Sequence, residues 1–132
     1  MNKINKNDIA CVILARGGSK GIPLKNIHLI NNHPLISYTI AAAKKSKYIN
    51  EVFVSTDDNQ IASISKLYGA KVPFLRIKKY STDKTLSVDA LKFSVEMLEK
   101  IYGKKYRFII ELPCVSPFRD EKDIDFALKK LI

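Results

Sequence analysis

Short apolar runs alternate along this chain with longer stretches of helical period. Ile9 to Ala15 is unbroken apolar and short, as in a strand of a covered sheet. Asn31 to Pro34 forms a turn whose proline suits the first turn of a helix, and Leu35, Ile36, Ile40 and Ala43 then fall at helical spacing as far as about Lys47. Glu51 to Thr56 reads as a second strand. Asp57 or Asp58 can cap the helix that follows, with Ile61, Ile64, Leu67 and Tyr68 along one face and Gly69 as its stop.

Lys71 to Leu75 reads as a short, weak strand, and Lys78 to Lys84 as a polar loop. A third helix begins near Leu86, with Val88, Leu91, Val95, Leu98 and Tyr102 as its apolar seam and Gly103 at its end. Tyr106 to Leu112 is a third clear strand, and Asp120 can cap a last helix whose Ile124, Leu128 and Leu131 face inward. Strands alternating with helices imply a mostly parallel sheet covered on both faces, with ligands bound beyond the carboxyl ends of the strands. Three loops fall there: Arg16 to Lys25, Ser55 to Asp58, and Pro113 to Arg119.

The 132 residues suffice for one domain with a real core, and 46% hydrophobic with 27% charged residues is ordinary for a globular protein. No apolar run approaches the roughly 20 residues that span a bilayer. Met1 to Asp8 is polar and lacks the apolar core of a signal peptide, so a cytoplasmic location is expected. The net charge of +10 is compatible with nucleic acid, lipid or a small anion. Its lysines, however, are scattered in pairs such as Lys44-Lys45 and Lys104-Lys105, and no recognition helix or aromatic-plus-basic sheet motif accompanies them. Neither nucleic acid nor membrane is expected as a partner. Cys11 and Cys114 have no metal-ligand spacing, and His28 and His33 have no partner at useful spacing; both pairs read as structural.

Candidate chemistry concentrates after the first strand, in Arg16-Gly17-Gly18-Ser19-Lys20-Gly21 and the Leu24-Lys25-Asn26 that follows. Adjacent glycines let backbone N–H groups approach an anion, and Arg16, Lys20 and Lys25 would neutralise its charge. The spacing matches neither GxGxxG nor a P-loop. The string ARGGSKGIPLKN closely resembles the N-terminal signature of the acylneuraminate cytidylyltransferases, the CMP-sialic acid and CMP-nonulosonate synthetases. The likeness continues through Pro34-Leu35-Ile36, Val54-Ser55-Thr56-Asp57-Asp58, Val72-Pro73-Phe74-Leu75-Arg76 and Ser116-Pro117-Phe118-Arg119, in the family's order.

The resemblance implies a three-layer α/β fold with a Rossmann-like nucleotidyltransferase sheet. The implied reaction joins CTP to a nine-carbon sugar acid, giving the CMP-sugar and pyrophosphate. Arg16 and Lys20 would be the catalytic cations, stabilising charge as pyrophosphate leaves, while Gly17, Gly18, Ser19 and Lys25 would help hold the triphosphate. Asn26 either contacts nucleotide or sugar, or stabilises the turn. Arg76 matches an arginine near the nucleotide; its alternative is a surface cation. Ser87 either reaches the cytosine or caps a helix. Asp57 and Asp58 could be paired metal carboxylates, but helix capping is the better account. Mg²⁺ is expected by resemblance, with no ligands evident in this chain.

Two departures qualify the likeness. Pro113 stands where the family commonly carries a glutamine near the nucleotide, and it offers neither a side-chain amide nor an N–H. Family members are also considerably longer; their later half supplies the homodimer segment, much of the sugar pocket and an aspartate pair for Mg²⁺. Residues 1–132 are therefore expected to form a single nucleotide-binding domain, truncated relative to the family. The alternative is a non-catalytic nucleotide-binding fragment or remnant. The GGSKGIPLKN string argues against activation of 3-deoxy-manno-octulosonate, whose enzymes carry a different loop.

Overall fold

The computed structural model describes residues 6–18, 24–82 and 84–114, together with 122, 124–126 and 129. A parallel sheet is built around β1 (Ile9–Leu14), which lies between β4 (Val52–Ser55) and β5 (Phe108–Glu111). Val12 pairs with Phe53 on one side and Glu111 on the other. A separate two-stranded ribbon, β2 (Leu29–Ile30) and β3 (His33–Pro34), turns on Asn31 and Asn32. Both asparagines take positive φ, at 51° and 69°, as a tight hairpin of this hand requires.

Side chains of β1 alternate between two cores, following the period of two along a strand. Cys11 and Ile13 face α1 (Leu35–Lys45) and α2 (Asn59–Leu67), where Ile36, Ile40, Ala43 and Ile61 complete the larger core. Ala10 and Val12 face α3 (Ser87–Tyr102), where Leu98 and Phe53 form the smaller one. The sheet is thus covered on both faces, as expected. Among the described residues, no helix is long and apolar enough to cross a membrane.

Pro34 sits immediately before α1 in extended backbone (φ −60°, ψ 145°), and the helix stops at Lys45, two residues short of the expected end. Asp58 caps α2, its carboxylate accepting the Ile61 N–H at 2.9 Å. Gly69 (φ 99°) and Gly103 (φ 66°) follow α2 and α3 in backbone that disfavours any side chain. The expected strand Lys71 to Leu75 reduces to one parallel bridge between Lys71 and Phe53. Pro73 has no N–H to continue the ladder, which resumes only where the Arg76 N–H reaches the Thr56 carbonyl at 2.8 Å.

Two apolar seams differ from expectation. Leu67 is 81% exposed, because α2 turns Ile61, Ala62 and Ser65 inward instead. On α3 the buried line is Ala90, Ser94 and Leu98, while Val88 is 64% exposed. Ser94 can occupy a core position because its hydroxyl is bonded to the Ala90 carbonyl (2.7 Å) and to the Ser55 hydroxyl (2.6 Å). His33 also has a partner that spacing did not disclose: its Nδ1 lies 3.1 Å from the Tyr68 hydroxyl.

These differences are measurable. Leu98→Ala should lower unfolding free energy by about 2–5 kcal/mol through the cavity it leaves. Leu67→Ala should change it by about 0.5 kcal/mol or less, despite identical chemistry. Urea denaturation of the two variants distinguishes the observed seam from the one periodicity suggests.

Candidate functional site

The site begins where β1 and β4 end side by side. The Ala15 N–H donates to the Ser55 carbonyl at 2.9 Å, so Arg16 and Thr56 leave the sheet together. Three contacts then fold the loop back. Asn26 Nδ2 donates to the Arg16 carbonyl (3.2 Å), the Leu24 N–H donates to the Gly17 carbonyl (3.2 Å), and the Gly17 N–H donates to Asp57 Oδ1 (2.8 Å). The buried Asn26 amide therefore serves the turn, one of its two expected roles. Arg16 Nη1 donates to the Gly18 carbonyl.

The two glycines are not equivalent. A Cβ on Gly17 would stand 2.9 Å from the Asp58 Cβ, so only glycine lets the loop pass the β4–α2 turn at this distance. A Cβ on Gly18 would meet nothing within 4 Å. Asp57 and Asp58 divide their work: Asp58 caps α2, whereas Asp57 holds the loop. Ser19 and Lys20, and the segment Ser116 to Arg119, lie outside the described residues.

Arg76 is no surface cation. It is 4% exposed, with Nε donating to the Ser81 hydroxyl (3.2 Å) and Nη1 to the Ser55 carbonyl (3.2 Å) and hydroxyl (3.3 Å). The Ser55 hydroxyl is in turn held by Ser94 from α3. Burial lowers the guanidinium pKa from its ordinary value; the Asp57 charge opposes that shift and Arg16 adds to it. Among the described residues, no carboxylate forms an ion pair with Arg76. Among the described residues, the hydrogen-bond partners of this guanidinium are neutral oxygens.

Above it opens a cleft of about 160 Å³, lined by Arg16, Arg76, Tyr80, Thr82, Thr85 and Ser87 among others. Ser87 is the first residue of α3, and the cap position belongs to Leu86, so the serine is not the helix cap expected as one of its two roles. Tyr80, Thr82 and Thr85 were not legible as site residues. Tyr80 is fixed by stacking on Phe93 at 4.9 Å, and the Thr82 and Thr85 hydroxyls meet at 2.9 Å. A polar loop in sequence becomes one wall of the cleft only through Phe93, thirteen residues beyond Tyr80. A larger groove of about 660 Å³ runs along the outer side of α3, past Glu99 and Gly103, and holds no expected site residue.

Lys25 lies across the loop from β5, close enough to Cys114 to oppose the rise in its pKa. Burial wins, and the thiol is pushed up to about 12. Pro113 beside it is exposed. Among the described residues, no group of three or more His, Cys, Asp or Glu could hold a metal.

A parallel sheet carrying a basic glycine loop at its carboxyl edge, with a buried arginine under the adjoining cleft, defines an α/β domain of the class whose ligand sites lie beyond the carboxyl ends of the strands. The chain belongs to the cytidylyltransferase family, whose model matches residues 10–131. It is 39% identical over 123 residues to the CMP-N,N'-diacetyllegionaminic acid synthase of Legionella pneumophila, covering 92% of this chain and 52% of that protein. It is 38% identical over 122 residues to the pseudaminic acid cytidylyltransferase of Campylobacter jejuni, with the same two coverages, 92% and 52%. The chain thus spans about half the length of the curated relatives it matches. A solved CMP:2-keto-3-deoxy-manno-octonic acid synthetase complexed with CTP shares the fold, with a TM-score of 0.73 at 23% identity over 93% of this chain and 46% of that one.

The asymmetry of the glycines sets one test. Gly17→Ala should cost about 1–3 kcal/mol of stability by forcing the β4–α2 turn away. Gly18→Ala should leave thermal unfolding almost unchanged, and any loss of phosphate binding in it would then be local. Cys114 sets another. Its folded pKa of about 12 exceeds the ordinary 9.0, so its protonated form favours the fold below pH 9 and that contribution is lost as pH climbs toward 12. At pH 8.5 the folded protein should resist iodoacetamide at Cys114, and modification should follow addition of urea.

Proposed function

We propose that this chain is the nucleotide-binding half of a CTP-dependent cytidylyltransferase that activates an acylneuraminate or related nonulosonic acid, releasing pyrophosphate. The observation that carries the reading is Arg76: a buried guanidinium without a carboxylate ion-pair partner among the described residues, beside Arg16, at the floor of a cleft. Such a charge is best compensated by a ligand anion, since burial without a counter-charge is costly. The names of the sequence relatives, both of which concern nine-carbon sugar acids, support the choice of acceptor. The 2-keto-3-deoxy-manno-octonic acid synthetase speaks for the fold only.

In this reading the anomeric hydroxyl oxygen of the sugar attacks the α-phosphorus in line, the bond from that phosphorus to the pyrophosphate oxygen breaks, and the hydroxyl proton leaves to solvent. Arg16, Lys20 and Lys25 meet the charge that accumulates on the phosphates, and Arg76 anchors them from below. Gly17, Gly18 and Ser19 provide the close backbone approach, and the Ser87 hydroxyl stands at the cleft where it can bond the base. The protein's contribution is positioning and charge neutralisation, with no covalent intermediate. The described residues do not fit a magnesium site, since no three His, Cys, Asp or Glu among them stand together to ligate it. The steps above therefore rest on this chain's own cations. A cytoplasmic location, where CTP is made, and a homodimer belong to the same proposal.

Isothermal titration of the folded chain with CTP, against UTP and ATP, tests the reading. CTP-selective binding is expected, weakened by roughly tenfold or more in Lys20→Ala without a change in melting temperature. Pyrophosphate release is then assayed on adding N-acetylneuraminic, legionaminic or pseudaminic acid. A folded chain that binds no nucleotide would overturn the proposal, and binding without release in any acceptor would reduce it to a nucleotide-binding module.

A further inference from the structure

Among the described residues, Asp57 is the acidic side chain that hydrogen-bonds the basic loop, and its placement is over-determined. The Ser55 carbonyl is bonded to both the Ala15 N–H and Arg76 Nη1, at 2.9 and 3.2 Å. The Thr56 carbonyl takes the Arg76 N–H at 2.8 Å, and the Thr56 hydroxyl takes the Asp58 N–H at 3.1 Å. Backbone on either side of Asp57 is thereby fixed, and only its side chain is free to choose a partner. It chooses the Gly17 N–H, the first backbone donor of the loop that the phosphates are expected to enter. It also supplies the negative charge felt by Arg76, while Arg16 supplies a second positive one. A carboxylate thus occupies a donor, and offsets charge, that a polyphosphate would use.

We propose that Asp57 is the resident anion of the phosphate site: it holds the Gly17 amide and offsets Arg16 and Arg76 until an incoming polyphosphate takes that amide from it. The proposal rests on the reading that this loop binds nucleotide phosphates. It accounts for two facts together. Arg16 and Arg76 can line one cleft because the Asp57 carboxylate adds a third, opposite charge. The Gly17 N–H is already oriented because the carboxylate stands where an anion would. Asp57 then sets affinity by competition. Its charge opposes the ligand's, and its removal should tighten binding as long as the loop keeps its shape.

Asp57→Asn separates charge from shape, since the amide oxygen still accepts from the Gly17 N–H. Titrated with inorganic tripolyphosphate, Asp57→Asn should bind about tenfold more tightly than the wild-type chain. Asp57→Ala, which removes the acceptor as well, should gain less than Asp57→Asn. Equal or weaker binding by a folded Asp57→Asn, with wild-type binding intact, would overturn the inference and leave the nucleotide site standing. Binding by neither protein would overturn both. Amide NMR of the wild-type chain gives an answer that needs no variant. At saturating tripolyphosphate the Gly17 N–H resonance and the Asp57 carboxylate carbon should both move. If Arg16 and Gly18 move while Gly17 and Asp57 stay in place, the carboxylate is not displaced and the inference fails.

Discussion

Burying the Arg76 guanidinium at the carboxyl edge of the sheet constrains most of what surrounds it. A cation removed from water must have its N–H groups satisfied and its charge compensated. Here satisfaction comes from Ser81 on its own segment and from the carbonyl and hydroxyl of Ser55 at the end of β4. Compensation by an ion pair is missing among the described residues, and Asp57 acts from farther away. The consequence is a site with stored demand for an anion.

The same constraint extends into the second core. Ser55 can present its carbonyl and hydroxyl to Arg76 only if its own hydroxyl is held, and Ser94 of α3 does this from a fully buried position. A serine in the middle of a helix seam forgoes apolar burial, and its bond to the Ala90 carbonyl is of the kind that competes with helix structure. The helix is anchored one turn later by Leu98 and stopped at Gly103, so the weak point is bounded on its C-terminal side. Packing of α3 and charge at the site are therefore one problem, solved by two serines. The close pass of Gly17 by Asp58 joins the loop to the same edge from the other side.

Much of this was legible in the residues. Alternation of apolar runs with helical periods gave the three parallel strands and three helices within a few residues of their ends. The ARGGSKGIPLKN string pointed to the family that residues 10–131 match. Arg16, Arg76 and Ser87 were singled out separately, sixty residues or more apart in two cases, and meet in one cleft. Local patterns suffice for the elements because periodicity and turn chemistry act over a few neighbouring residues, whereas Arg76 and Ser87 came from the resemblance to the family.

Other features depended on contacts distant in sequence. Spacing placed Leu67 inside and ignored Ser94, yet the rotation of each helix is decided by what the sheet offers it, and β4 offered a hydroxyl at Ser55. Asp57 and Asp58 are adjacent and chemically alike, and nothing local tells a cap from a loop clamp; the loop that arrives from Gly17, forty residues earlier, makes the distinction. Tyr80 became part of a wall because Phe93 lies beneath it, and Thr82 because Thr85 holds it. The sequence by itself determined the elements, the family and the chemical character of the loop, since each is written in short-range pattern. Which polar groups are buried and which are paired was decided only by tertiary structure, because desolvation and charge balance depend on neighbours that the fold alone brings together.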